Sequence, residues 1–85
     1  MATIEWTEAA LSDLEKLDRQ VAKRILRKLE WCSKNFARLI PEPLSGALKG
    51  VYKLRVGDWR VIYTLEGNTV VIQAIGHRRE IYRMS

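Results

Sequence analysis

The stretch of sequence that decides the fold is residues 51–75, VYKLRVGDWRVIYTLEGNTVVIQAI. It is rich in β-branched and aromatic residues, which are enriched in strands, and two glycine-led dipeptides, Gly57-Asp58 and Gly67-Asn68, interrupt it. A two-residue connection with glycine in its first position is typical of a type II′ hairpin turn. The stretch therefore predicts three antiparallel strands, over residues 51–56, 59–65 and 69–75.

The two turns also predict which residues lie opposite each other. The first hairpin places Arg55 opposite Arg60, and the second places Ile62 opposite Gln73 and Arg60 opposite Ile75. Side chains alternate between the two faces of a strand, so the register predicts the composition of each face. One face is almost wholly apolar and is expected to pack against helices: Leu54, Val56, Trp59, Val61, Tyr63, Leu65, Val70, Ile72 and Ala74. The other is mixed, and basic at one end: Lys53, Arg55, Arg60, Ile62, Thr64, Val71, Gln73 and Ile75.

The N-terminal part of the chain predicts one short strand and two helices. Residues 3–6 are β-prone, and Thr7 and Asp18 are both suited to the N-cap position of a helix. These caps predict helices over residues 8–17 and 19–35, joined by a very tight turn. Apolar residues recur at helical spacing through both segments: Leu11, Leu14, Leu17, Val21, Ile25 and Leu29.

The connection between the helices and the hairpins is predicted to be a loop. Residues 36–50 contain Pro41 and Pro43, and two prolines so close together end any helix. The resulting order is strand, helix, helix and three strands. It predicts an α+β fold in which two N-terminal helices pack on one face of an antiparallel sheet. The chain is short and has no repeat or linker, so residues 1–85 are expected to form a single domain.

The charge distribution, the cysteine content and the hydropathy of the chain indicate what kind of partner it binds and in which compartment it works. Residues 48–85 contain seven Lys or Arg and three Asp or Glu, so they carry +4 of the net charge of +5. This distribution favours a polyanionic partner. The single cysteine, Cys32, cannot form an intrachain disulfide, and a reducing compartment is favoured. Because neither a signal segment nor a long apolar run is evident, we expect a cytoplasmic protein that does not enter a membrane.

Cations are predicted to converge at one end of the sheet. Opposed Arg55 and Arg60 would destabilise the strand pair, and a bound anion would remove that cost. The third predicted strand ends beside Arg60, so it delivers residues 76–85, GHRREIYRMS, to the same region. With Lys53 and Arg78 added, and with no acidic residue on the predicted face, the pattern favours phosphate binding over a merely solvated surface.

Two strings within these segments carry a family resemblance. They are YKLRVGDWRVIY at residues 52–63 and IQAIGHRREIY at residues 72–82. With the element order, they resemble the RelE branch of the RelE/ParE toxin superfamily over nearly the whole chain. The resemblance implies a type II toxin that cleaves messenger RNA on the ribosome and that a RelB-like cognate antitoxin neutralises. It also implies the chemistry, in which a ribose 2′-hydroxyl attacks the adjacent phosphate.

The resemblance further implies roles for individual residues. Lys53 is similar to the family's catalytic lysine, and Arg60 resembles the arginine that stabilises the phosphate. Arg78 resembles the arginine that assists the leaving group, and Tyr82 the tyrosine that orients a base. Guanidinium groups suit a phosphate that gains negative charge, and a tyrosine suits an unpaired base. Other residues of these segments are expected to contact RNA: Lys49, Arg55, His77, Arg79 and Arg83.

Some assignments stay open at the level of sequence. Val51 stands where typical bacterial members carry a second lysine, so the general base is not identified. His77 is either an acid or base of the reaction or a phosphate contact. A ParE-type gyrase poison and a non-catalytic nucleic-acid-binding module are the alternatives on this fold. The chain has no Cys/His cluster, so we expect no metal, and no other cofactor.

Overall fold

The computed structural model describes residues 1–81, and it has the predicted α+β architecture. Two helices follow the first strand and pack on one face of a five-stranded sheet. No helix within residues 1–81 combines the length and the hydropathy needed to cross a membrane. The elements in chain order are β1 (Thr3–Trp6), α1 (Glu8–Glu15), α2 (Arg19–Lys34), a 3-10 turn (Phe36–Arg38), β2 (Glu42–Ser45), β3 (Leu48–Val56), β4 (Trp59–Glu66), β5 (Thr69–His77) and α3 (Arg78–Ile81).

Polar caps fix where the two long helices begin. Thr7 Oγ1 accepts a hydrogen bond from Ala10 N at 3.1 Å, and Asp18 Oδ2 accepts one from Gln20 N at 3.1 Å. Each cap satisfies an N–H group that has no partner inside its own helix. Both predicted caps are therefore confirmed, and the helix ends lie within two residues of those predicted.

The sheet has the strand order β1-β5-β4-β3-β2. Its last four strands are antiparallel to their neighbours, whereas β1 runs parallel to β5. The main core lies between this sheet and the two long helices, because both present apolar side chains to the space between them. Its buried members include Ala10, Ile25, Leu29, Val56, Val61, Tyr63, Val70, Ile72 and Ile75.

Residues 36–50 contain a strand that the sequence did not predict. Strand β2 pairs antiparallel with β3, and this pairing places Glu42 opposite Lys53 and Pro43 opposite Tyr52. The prediction of a continuous loop was wrong because prolines that end a helix are tolerated in an edge strand, where one side of the backbone has no partner. The strand matters for the site because it brings Glu42 beside the basic residues of β3.

The register of the sheet is confirmed in part. The first hairpin has the predicted pairing throughout. In the second hairpin the predicted pairing holds from the turn as far as Tyr63 opposite Ile72. Beyond that pair, a β-bulge shifts the pairing by one residue. Arg60 therefore lies opposite Gly76 and not, as predicted, opposite Ile75. Such a shift turns every later side chain of the strand to the other face.

The bulge exchanges the faces of two residues, and α1 holds it in place. Ile62 lies opposite Ala74, where Gln73 was predicted. Ile75 joins the main core, and Ala74 packs on the opposite face, so both predicted faces were wrong. Asp13 Oδ2 accepts a hydrogen bond from Ile75 N at 3.0 Å. The Asp13 carboxylate of α1 thus supplies an acceptor to a backbone N–H in the part of β5 that follows the bulge.

Replacing Asp13 with alanine is expected to lower the free energy of unfolding by about 1–3 kcal/mol, the cost of leaving a buried donor without a partner. Ile75 is buried, so water does not readily replace the carboxylate. Urea denaturation followed by circular dichroism measures the change. Glu15→Ala, an exposed change in the same helix, is the control. Equal stability of the two variants would show that the bulge does not depend on Asp13.

A smaller apolar cluster covers part of the opposite sheet face. It is formed by Leu44 of β2, Ile62 of β4 and Ile81 of α3, all buried. A β-carbon at Gly76 would lie 2.9 Å from Ile81 Cδ1, so a larger residue there would force the end of the Ile81 side chain to shift. The cluster fixes the start of the basic tail against the sheet.

Candidate functional site

An ion-pair cluster joins the edge strand to β3. Lys53 Nζ lies 3.3 Å from Glu42 Oε2, and Arg55 Nη2 lies 3.0 Å from the same oxygen. Arg55 Nε also donates to Glu42 Oε1 at 3.2 Å. The expectation that no acidic residue lies on this face was therefore wrong, since Glu42 comes from the unpredicted strand. Lys53, with 11% of its side chain exposed, and Arg55 form one wall of a site with a carboxylate between them.

The protonation of this cluster follows from its contacts. The hydrogen bond from Arg55, assisted by Lys53, holds the pKa of the Glu42 carboxyl below its ordinary value. Glu42 is therefore ionised at neutral pH. Lys53 takes part in the ion pair as an ammonium group, which has no lone pair to accept a proton. Within this cluster, the group able to accept a proton is Glu42.

Arg60 lies in β4, opposite Arg55 as predicted, but it is buried, with 7% of its surface exposed. Its Nη1 donates to the carbonyl oxygens of Gly57 and Trp59, each at 2.9 Å. Its Nε is buried and has no hydrogen-bond partner among residues 1–81. A buried guanidinium is costly unless it is paired, so this arrangement favours an anion beside Arg60.

The turn that anchors Arg60 also anchors the basic tail. Arg78 N donates to the carbonyl of Asp58 at 2.8 Å, and Arg78 Nε lies 3.7 Å from Asp58 Oδ1. Successive carbonyl groups of the Gly57-Asp58 turn therefore hold Arg60 and the first residue of α3. The structure thus brings Arg78 to the turn beside which Arg60 lies, as the sequence predicted.

His77, the last residue of β5, is held by two contacts. Its ring meets Trp59 edge to face, with 5.5 Å between centroids, and its Nδ1 accepts a hydrogen bond from Arg79 N at 3.3 Å. The Nδ1 atom is therefore engaged within the protein. Lys49 is exposed near the start of β3, away from the turn, and the structure does not bring it to the cluster. Two further predicted residues, Tyr82 and Arg83, lie outside the described residues.

Other reactive side chains do not add to the site. Burial raises the pKa of the Cys32 thiol, which makes it a poor nucleophile, and raises the pKa of Tyr63 to about 12. Both belong to the interior of the protein. Within residues 1–81, His, Cys, Asp and Glu form no group of three that could hold a metal ion.

Comparison with known proteins decides the family. The family model described as the ParE toxin of the type II toxin–antitoxin system parDE matches residues 4–82. This chain belongs to the RelE/ParE superfamily of type II toxins. The match begins within β1 and includes both long helices and the other four strands, so the superfamily assignment applies to nearly all of the described fold.

Relatives within the superfamily carry RelE-type names. Toxin RelG of Mycobacterium tuberculosis is 31% identical over 86 residues, which cover 95% of each chain. The toxin–antitoxin complex RelBE2 of Mycobacterium tuberculosis contains a chain with a TM-score of 0.77 and 29% identity, covering 91% of this toxin and 98% of that chain. The isolated Escherichia coli RelE toxin, at 22% identity, matches with a TM-score of 0.75 over 99% of this toxin and 94% of that chain, which shows the shared fold.

Proposed function

We propose that this toxin is an endoribonuclease that cleaves messenger RNA on the ribosome. The observation that carries the proposal is the buried guanidinium of Arg60, whose Nε has no partner among residues 1–81. It lies on the sheet face that also carries Glu42, Lys53 and Arg55. A phosphodiester is an anion that can bind these guanidinium groups, and Glu42 is a deprotonated carboxylate within the same site.

The reaction that suits these groups is transfer of the phosphate to the neighbouring ribose. The 2′-hydroxyl loses its proton to Glu42, and its oxygen forms a bond to phosphorus. The bond from phosphorus to the 5′-oxygen breaks, which leaves a 2′,3′-cyclic phosphate and a 5′-hydroxyl that takes its proton from water. Arg60 and Lys53 stabilise the negative charge that develops on the phosphorane, and Arg78 stabilises the leaving oxygen.

Glu42 is the general base in this scheme because it is ionised and fixed in position. A lowered pKa makes any carboxylate a weaker base, so its contribution lies in its placement and in being deprotonated. Lys53, as an ammonium group, contributes charge to the site. Arginine stays protonated in proteins, so Arg60 and Arg78 also act electrostatically.

We infer that a cognate RelB-like antitoxin neutralises the toxin. The RelBE2 relative was solved as a toxin–antitoxin complex. An acidic segment that is disordered when free would fit the basic face of the toxin and fold upon it. With messenger RNA and the ribosome as its other partners, the toxin would act in the cytoplasm, without a cofactor.

Primer extension on a translated message, with purified ribosomes and wild-type toxin, tests the proposed activity. We expect cuts within codons that require both the toxin and the ribosome. The same message without ribosomes is the control, because positioning by the ribosome is part of the proposal. A message that stays intact under translation, while the toxin still arrests growth, would contradict it.

A ParE-type gyrase poison is the second candidate, and the matched family model, which is described as a ParE toxin, favours it. On this fold the candidate would act by binding protein and would not need a phosphate site. It predicts trapped covalent gyrase–DNA complexes in cells that express the toxin, with intact message. The set of Lys53, Arg60 and Arg78 favours the nuclease, because these cations suit the phosphate of an RNA substrate, which a protein-binding poison does not require.

A further inference from the structure

A basic groove lies between α2 and the β3–β4 turn, outside the reaction site just described. It has a volume of about 470 Å³. Among residues 1–81, its lining includes four cationic side chains and no acidic one: Arg24, Arg27, Lys28 and Arg55. Arg55 belongs also to the Glu42 cluster, so the groove and the proposed reaction site share this one residue. We call this feature the α2 groove.

The helix spacing places the cations of the α2 groove on one face. Arg24, Arg27, Lys28 and Trp31 stand at i, i+3, i+4 and i+7, which is one stripe of an α-helix. None of the three cations forms an ion pair with an acidic residue in the described part of the chain. Arg24 and Lys28, four apart, repel each other. The stripe is therefore unfavourable for the free helix, and a bound polyanion would relieve it.

The β3–β4 turn brings Arg24 close to the reaction site. A β-carbon on Gly57 would lie 3.1 Å from Arg24 Nη2, so the guanidinium packs directly against this turn. The carbonyl of the same glycine accepts the hydrogen bond from Arg60 Nη1. Arg24 of the α2 groove and Arg60 of the reaction site therefore both contact Gly57. The backbone of this turn lies between the two sites.

Trp31 adds an aromatic surface to the cations. It is 47% exposed, although large apolar side chains are usually covered, and Lys28 Nζ lies 4.5 Å from the centroid of its ring. Sites for single-stranded nucleic acid combine cations that follow the backbone with an aromatic ring on which a base stacks. An acidic peptide would use the cations but would have no need of the ring.

We propose that the α2 groove binds a second stretch of RNA, with phosphates on Arg24 and Arg27 and a base on Trp31. The inference rests on the proposed function, because it takes RNA to be the ligand of the reaction site. The RNA is either the message beyond the cleaved bond or ribosomal RNA, since both present the same phosphodiester chemistry. The groove would orient the toxin on its substrate and leave the chemistry to the Glu42 and Arg60 site.

Binding of an uncleavable RNA tests the groove without using the activity. The probe is a fluorescein-labelled, 2′-O-methyl single-stranded RNA, and anisotropy gives its Kd over a salt series. Arg24→Gln/Arg27→Gln is expected to reduce the slope of log K against log salt by about 1.4, which corresponds to two lost phosphate contacts. Trp31→Ala is expected to weaken binding roughly 5- to 150-fold through lost stacking. The matched control, Arg19→Gln/Lys23→Gln, removes the same charge from α2 outside the groove.

The arms of the experiment separate the sources of RNA. If the groove variant loses affinity for the oligonucleotide but still cosediments with small ribosomal subunits in the absence of message, the message is the ligand. If it instead loses cosedimentation with small ribosomal subunits in the absence of message, ribosomal RNA is the ligand. Unchanged affinity in both assays would overturn the inference. So would weakened binding of poly-glutamate with RNA binding intact, which would make the groove a site for acidic peptide.

Failure of the proposed function would look different. If the wild-type toxin cleaves no message but binds RNA through Arg24, Arg27 and Trp31, the proposed nuclease activity is wrong and the proposed RNA site in the α2 groove is supported. If the toxin cleaves message while the groove variant and the control bind RNA equally, the proposed nuclease activity is supported and the proposed RNA site in the α2 groove is wrong. Thermal melting of each variant verifies that these exposed substitutions leave the fold intact.

Discussion

Replacing Arg60 with alanine is expected to lower the rate of message cleavage by roughly 10²- to 10³-fold, which is the usual effect of removing one preorganised donor to a transition-state oxyanion. Arg60 is the residue most suited to this role because its guanidinium is buried, fixed by two carbonyl oxygens and has an Nε without a partner among residues 1–81. The measurement is single-turnover primer extension at saturating toxin, so that weaker binding does not contribute to the rate.

Arg60→Lys separates charge from geometry. Lysine keeps the positive charge but cannot hold two carbonyl oxygens and an anion in one plane, so the lysine variant is expected to recover little of the lost rate. Arg38→Ala, an exposed change on the 3-10 turn, is the matched control and should cleave like the wild type. If Arg60→Ala cleaves message within threefold of the wild-type rate, Arg60 does not stabilise the transition state as proposed.

Stability must be measured alongside this rate. The two hydrogen bonds from Arg60 Nη1 also close the Gly57-Asp58 turn, so their loss is expected to destabilise the fold by about 1–3 kcal/mol. The substitution also has an opposite effect on stability, because alanine removes a buried guanidinium whose Nε has no hydrogen-bond partner among residues 1–81. Thermal melting gives the folded fraction at the assay temperature, and the cleavage rate is then compared at equal concentrations of folded toxin.

The parts of the fold that the sequence predicted are those that depend on local interactions. The caps at Thr7 and Asp18 act within one helical turn, and the first hairpin is set by the two-residue turn at Gly57-Asp58. In each case the residues that decide the structure are close together in the chain. The pairing of Arg55 with Arg60 could therefore be predicted from the turn alone.

The parts that escaped prediction depend on contacts between distant residues. The bulge in β5 is supported by the bond from Ile75 N to Asp13, 62 positions away, and nothing near Ile75 indicates that acceptor. Strand β2 is short and contains Pro43, so its local pattern is typical of a loop. Glu42 was missed for that reason, although a charge opposite Lys53 is the feature that changes the chemistry most.

Glu42→Gln is expected to lower the cleavage rate by roughly 10²- to 10⁴-fold, the contribution typical of a positioned general base. Glutamine keeps the shape and can still accept hydrogen bonds from Arg55, but it cannot take the proton of the 2′-hydroxyl. The loss is not expected to come from unfolding. Glu42 is 42% exposed, and exposed ion pairs contribute only about 0–1 kcal/mol. Glu66→Gln, an exposed change at the end of β4, is the control.

The pH dependence of the cleavage rate distinguishes a general base at position 42 from a residue with a purely structural role. Because its contacts lower its pKa in the folded toxin, the carboxylate stays ionised as the pH falls past the ordinary value of 4.5. The wild-type rate should therefore hold to that point and decline only below it, as the pH passes through the lowered pKa. The stability from the ion pairs is present above the ordinary pKa and is lost over the same range, so both decline together in the wild type.

In Glu42→Gln the decline in rate should be absent, and the loss of stability should lack the part that comes from Glu42, because the group that titrates has been removed. The residual rate of the variant should be independent of pH wherever the fold is intact, and circular dichroism at each pH defines that range. An acid limb that persists in Glu42→Gln would assign the proton transfer to another group. A variant that cleaves faster than the wild type would instead show that the Glu42 carboxylate competes with the phosphate for Lys53 and Arg55, so that its removal opens the site to RNA.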